Sequence, residues 1–240
     1  MWLVAFLISL VQDKVLPYVA IPKKTGDMKM IQSKIIVATI SVLLTLISIF
    51  FAGPVVAEKS DFSKAADLVK QKQFVEAFVI FERLANSNDR DAQFNTAVML
   101  RKGIGRPSNY PEALKWAWLA ELGGNLRAAE LRAELIELIP EEELDKVRDK
   151  VKVVLQKRMD AGDSPVILQM ANFHLNVLAE PDFKNAYALR SLAAAINIKT
   201  AGNLRDEIEP ELEPKDLVEA QTIAKKLFTD RTWVLKTPIE

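Results

Sequence analysis

The chain has 240 residues, 50% hydrophobic and 27% charged, so it can bury one or two domain cores and is not a disordered polypeptide. It contains no cysteine, which excludes disulfide bonds, thiolate metal sites, cysteine nucleophiles and a lipid-modified cysteine anchor. The formal net charge is zero, and residues 58–240 carry 27 basic against 30 acidic side chains, which gives no electrostatic reason to expect nucleic-acid binding.

Residues 1–57 are predicted to be a targeting segment. From Met28, lysines precede a long apolar run, Ile35 to Phe51, and small residues follow at Val55 and Ala57. This order is typical of a secretory signal peptide and predicts cleavage after Ala57. The alternative is an uncleaved helix that anchors the protein in the inner membrane, because the apolar run is almost long enough to span a bilayer.

Both alternatives place residue 58 onward outside the cytoplasm, since the lysines lie before the apolar run. We therefore expect a periplasmic or secreted protein that touches a membrane only through its N-terminal segment, if that segment is retained. Residues 1–27 stand ahead of a complete signal, which favours a true start at Met28 or Met30 over Met1.

Residues 58–230 are predicted to form an all-α domain, followed by a tail at 231–240. Apolar side chains recur with helical spacing, and no run alternates with the period of a strand. The short segments between breaks predict a string of antiparallel helix hairpins. The predicted breaks are Asn86 to Asp91, Gly103 to Pro111, Gly123 and Gly124, Pro140, Ala161 to Pro165, Pro181, Pro210 and Pro214.

Acidic side chains follow two of these prolines, at Glu141 to Glu143 and at Asp216. Proline is tolerated in the first turn of a helix, and carboxylates there interact favourably with the helix dipole. We therefore interpret both runs as solvent-facing helix starts rather than as paired catalytic carboxylates.

An internal repeat is the most informative feature of the sequence. Residues 112–135 match residues 185–208 at an offset of 73 positions, and each copy is followed by a proline and a further helix. Small residues at Ala113, Ala120, Ala186 and Ala193 allow helices to approach closely. Since one hairpin has too little apolar surface to fold alone, the repeat predicts an α-solenoid.

The stretch from Ala92 to Ala128 resembles a Sel1-like repeat, a relative of the tetratricopeptide repeat. Asn109 departs from the family pattern, which usually has aspartate there, and the second copy has Val177 and Ala179 near the positions of the two glycines. The pattern is carried by Ala92, Phe94, Ala97, Leu100, Gly103, Gly105, Asn109, Ala113, Trp116, Ala120, Gly124 and Ala128.

The resemblance implies a non-enzymatic adaptor that binds a protein or peptide partner, often at a bacterial envelope, without a cofactor. We therefore expect an exported interaction scaffold. One alternative is a periplasmic regulatory subunit of a membrane sensor or of an envelope or motility machine. A cell-wall-acting enzyme is a weaker alternative, because no catalytic constellation is evident.

Three features of the sequence resemble chemical or binding sites. His174, the single histidine, is predicted to be a partly buried packing residue, since one histidine without cysteine makes no common zinc site. The Gly103-Ile104-Gly105 segment lacks the strand and the Gly-Lys-Ser/Thr of a phosphate loop. Trp118 either packs against the next hairpin or contacts a partner. Trp233 lies in the tail with Val234 and Leu235, and this short apolar segment either folds back as a cap or binds a partner.

Changing Ala113 or Ala120 to leucine is expected to destabilise the repeat by about 1–3 kcal/mol through overpacking. Urea unfolding of each variant against the unsubstituted chain measures this directly. Unchanged unfolding midpoints for both variants would contradict the helix register.

Overall fold

The computed structural model describes residues 60–230, and the predicted signal peptide, its cleavage after Ala57 and the tail with Trp233 lie outside this range. The described residues contain ten α-helices, one 3₁₀ turn and no β-strand, which confirms the predicted all-α fold. The helices are α1 (Asp61–Lys70), α2 (Phe74–Asn86), α3 (Arg90–Lys102), α4 (Tyr110–Leu122), α5 (Ala128–Ile136), α6 (Glu141–Asp160), α7 (Val166–Asn176), α8 (Phe183–Ala195), α9 (Ala201–Ile208) and α10 (Pro214–Thr229).

Several helices begin at a side chain that accepts a hydrogen bond from a backbone N–H of the first turn. Asn109 accepts from the backbone N–H of Glu112 at 3.1 Å, and Asp182 accepts from that of Asn185 at 3.0 Å. The two caps stand 73 residues apart. Asparagine therefore performs the capping role at the position where the Sel1-like pattern usually has aspartate.

Helix α4 is the packing centre of the first copy. It contacts α3, α5, α6 and α7, whereas α6 packs on α4 and α7 rather than on α5, the helix that precedes it. Ala113, Ala117 and Ala120 on α4 are completely buried, which lets neighbouring backbones approach, and Trp116 and Trp118 fill the remaining volume.

The duplication extends over four helices. Helices α4, α5 and α6 begin at residues 110, 128 and 141, and α8, α9 and α10 begin 73 positions later in each case. The packing is repeated as well, because α8 contacts α7, α9 and α10 as α4 contacts α3, α5 and α6. The structural repeat is thus a four-helix unit, α3–α6 followed by α7–α10.

The connection between the first two helices of each unit differs by one residue. It has seven residues between α3 and α4 and six between α7 and α8. In the first unit, Gly103 and Gly105 have φ values of +65° and +79°. A Cβ atom at Gly105 would overlap with the carbonyl oxygen of Phe74 at the start of α2. The equivalent loop of the second unit has exposed Ala179 and needs no such approach.

The break between α8 and α9 was not predicted. Asn197 stands 73 positions after Gly124, and both residues have positive φ, +62° and +89°. Asparagine tolerates this conformation better than most residues, so the same turn forms without the glycine that marks it in the first unit. The lengths of the helices range from 8 residues in α9 to 20 in α6.

Gly105→Ala is expected to destabilise the fold by roughly 2–3 kcal/mol, because alanine strains a positive φ and its Cβ meets the backbone of α2. Gly103→Ala is the matched control, since its Cβ would have ordinary contacts, and roughly 1 kcal/mol is expected. Urea unfolding compares the two. Equal losses would contradict the close approach of Gly105 to Phe74.

Candidate functional site

The alanines and Trp116 that define the repeat lie in the interior and build the array. Ala92, Ala113, Ala120, Ala186 and Ala193 are fully buried, as is almost all of Trp116. Phe94 is partly buried, and the guanidinium of Arg127 lies 4.4 Å from the centre of its ring. Gly124 has a positive φ in the α4–α5 turn. These residues serve packing and turn formation, so a partner would have to contact other side chains.

His174 joins α7 to the start of α8. Its Nδ1 lies 3.1 Å from Oδ2 of Asp182, and its backbone oxygen accepts a hydrogen bond from the backbone N–H of Asp182. Only 13% of the histidine side chain is exposed. This placement agrees with a packing and hairpin-closing role.

The environment of His174 favours the neutral imidazole. Burial lowers the pKa of His174 below its ordinary value, although the Asp182 carboxylate acts in the opposite direction. Burial would raise the pKa of Asp182, but hydrogen bonds donated by Asn185, together with His174, lower it. At neutral pH the uncharged ring therefore donates its Nδ1 proton to the carboxylate.

No metal-binding cluster of histidine, cysteine, aspartate and glutamate occurs within residues 60–230. The acidic start of α6 is engaged in surface ion pairs, Glu141 with Arg148 and Glu143 with Lys146. The pKa of the Asp61 carboxyl group is lowered by the hydrogen bond that it accepts from Arg83. These carboxylates serve as ion-pair partners at helix starts.

Trp118 is almost completely buried on α4, so the alternative in which it contacts a partner does not apply to this structure. Its indole Nε1 has no hydrogen-bond partner among residues 60–230, a cost that is offset by the apolar area that the ring buries.

An open cleft lies where the start of α4 meets the α5–α6 turn, and we call it the Tyr110 cleft. Tyr110 and Leu138 are 38% and 48% exposed, which is unusual for large apolar side chains that line a concave surface. A weak signal for this cleft is present in the sequence, since Tyr110 precedes Pro111 and Leu138 lies two residues before Pro140, both in predicted breaks. The cleft is lined by Ser108, Asn109, Tyr110, Pro111, Leu138, Ile139, Pro140 and Glu143.

A second cleft lies at the α9–α10 turn, at the corresponding end of the second unit. Its lining combines four apolar residues with two carboxylates. It is lined by Asp206, Glu209, Pro210, Leu212, Pro214 and Leu217. Glu209 accepts a hydrogen bond from the hydroxyl of Tyr187 at 3.2 Å, so one of the two carboxylates is already bound by a residue of the same unit.

No protein-family model matches the chain, and no curated protein matches it. Among solved structures it is similar to a protective antigen present in uropathogenic Escherichia coli strains that displays an SLR fold, at 20% identity and a TM-score of 0.31. The match covers 68% of this chain and 44% of that one, so the chain spans less than half the length of the antigen. The assignment of the helical-repeat fold therefore depends on the packing described above.

A search of the described helices for a segment long and apolar enough to cross a membrane finds none.

The free energy of unfolding is expected to decrease as the pH falls from 7.5 to 5.5. The imidazole of His174 has a lower pKa in the folded state than in the unfolded state, where the pKa is about 6.5. Below pH 6.5 the unfolded state therefore takes up a proton more readily than the folded state, and the free energy of unfolding decreases. His174→Gln removes the titrating group and should flatten the dependence. An NMR titration of the single histidine that gave a pKa above 6.5 would contradict this.

Proposed function

We propose that the protein is an exported, non-enzymatic scaffold that binds a protein partner in the bacterial cell envelope. The observation that carries the proposal is the separation of roles on the two helical units. Their repeat-defining alanines are buried between helices, while Tyr110 and Leu138 remain exposed in a concave surface. Exposed apolar side chains in a cleft of an otherwise well-packed fold are typical of a protein-binding surface.

Helical repeat arrays suit this role because each unit contacts mainly its neighbours, which leaves an extended surface open along the array. Asp61 and Asp182 are unsuited to general-acid catalysis, since both have lowered pKa values and both are held by structural partners. A general acid of a cell-wall hydrolase needs a raised pKa instead.

Export is tested by expressing the full chain with a C-terminal tag in a Gram-negative host and measuring its mass after periplasmic release. We expect a soluble species whose first residue is Glu58, because Val55 and Ala57 present small side chains to the signal peptidase. A membrane-bound species that keeps Ile35 to Phe51 would favour the alternative of a regulator that docks on a membrane sensor. A cytoplasmic product would contradict both.

Partner binding is tested by cross-linking the tagged chain in its native cells, followed by purification and mass spectrometry. We expect one envelope protein to be enriched in a constant ratio to the bait. A tagged helical-repeat protein of unrelated sequence, exported by the same signal, is the control. Recovery of the same proteins with bait and control, from a chain that circular dichroism shows to be helical, would contradict the scaffold function.

A further inference from the structure

The two four-helix units differ at the position of the Tyr110 cleft, and the difference indicates what the cleft binds. At the 73-residue offset, Pro111 of the first unit corresponds to Lys184 of the second, and Glu143 corresponds to Asp216. Glu219 of the second unit corresponds to Lys146 of the first. The lysine therefore lies near the start of α8 in the second unit and on α6 in the first.

In the second unit this lysine bridges two helices. Nζ of Lys184, near the start of α8, lies 2.8 Å from Asp216 and 2.6 Å from Glu219, both on α10. Hydrogen bonds to the two carboxylates raise the pKa of Lys184 above its ordinary value. The ammonium group on its aliphatic stem is thus the chemical group that occupies this place in the fold.

In the first unit the place is open. Pro111 is uncharged and cannot pair with Glu143. Glu143 instead pairs with Lys146 of its own helix at 2.6 Å. That pair is spaced i, i+3 and its side chains are 42% and 65% exposed, so it contributes little and Glu143 can exchange it for another cation. Glu137 and Glu142, beside the cleft in sequence, make no ion pair within the described part of the chain.

The apolar part of the cleft also differs between the units. Leu138 of the first unit corresponds to Glu211 of the second, and Leu138 is 48% exposed next to Tyr110. An apolar wall beside a carboxylate fits a side chain that has a long methylene stem and a cationic end. The face of the Tyr110 ring can also contact such a cation.

We propose that the Tyr110 cleft binds a lysine or arginine side chain from an extended segment of the partner protein, in the place that Lys184 occupies in the second unit. The cation pairs with Glu143, and an apolar residue next to it in the segment packs on Tyr110 and Leu138. This inference rests on the proposed scaffold function and assigns the surface and the chemistry of its partner.

The decisive variant is Pro111→Lys, which transfers the lysine of the second unit to the first. It is expected to pair with Glu143, to fill the cleft and to exclude a partner side chain. The fold should be preserved, because Lys184 occupies the same position in α8. Circular dichroism and thermal unfolding verify this. Glu143→Gln, which removes the charge without changing the shape, keeps the test valid if the lysine variant does not fold.

The probe is a random dodecapeptide display library selected on the immobilised full chain. We expect enriched peptides to carry lysine or arginine next to an apolar residue. A synthetic copy of the strongest peptide should bind about tenfold more weakly to Pro111→Lys and to Glu143→Gln, as measured by fluorescence anisotropy. Replacing its cation by norleucine should have the same effect.

Two serine variants locate the apolar contact. Leu138→Ser should weaken the peptide about tenfold, whereas Leu126→Ser should leave binding unchanged, since Leu126 is 89% exposed in the α4–α5 turn, away from the cleft.

Enriched peptides without a cation, or equal affinity for the unsubstituted chain and Pro111→Lys, would overturn the assignment of the cleft and leave the scaffold function intact. A library that yields no peptide on the unsubstituted chain would also overturn the assignment. The scaffold function itself fails only if the cross-linking experiment recovers no specific partner.

Discussion

Close contact between helices at small residues is the constraint on which the structure depends. Ala113, Ala117 and Ala120 have no exposed surface, and they bring four neighbouring helices onto α4. Larger side chains at these positions would separate the backbones, and burial of Trp116 and Trp118 would then be lost. Because α8 repeats the arrangement with Ala186 and Ala193, the second unit has the same packing centre.

Because the chain contains two copies of one packing unit, positions needed for folding can be told apart from surface positions that differ between the copies. Positions that both units need for packing keep their chemistry, as the caps at Asn109 and Asp182 do. Surface positions are free to differ, and the exchange between Pro111 and Lys184 turns one site into an internal ion pair while the other stays open. Comparison of the units therefore identifies surface chemistry that neither unit reveals alone.

The sequence predicted the helical content because prolines and glycines coincide with the helix ends, as at Pro140 and Gly103. It did not predict the α8–α9 break, where Asn197 replaces glycine, or the packing of α6 on α4 rather than on α5. The Tyr110 cleft was also missed, because exposure of Leu138 depends on where the α5–α6 turn lies relative to α4, and no local pattern encodes that distance. Export and cleavage after Ala57 stay predictions.

The most direct test of the account is site-specific photo-cross-linking in native cells. A photoreactive amino acid is placed at Leu138 in one strain and at Leu126 in another, so that the two probes differ only in their position on the array. The account predicts a cross-link to a single partner protein from position 138, through a peptide that contains lysine or arginine, and none from position 126. Equal cross-linking from both positions, or a cross-link from position 126 alone, would contradict it.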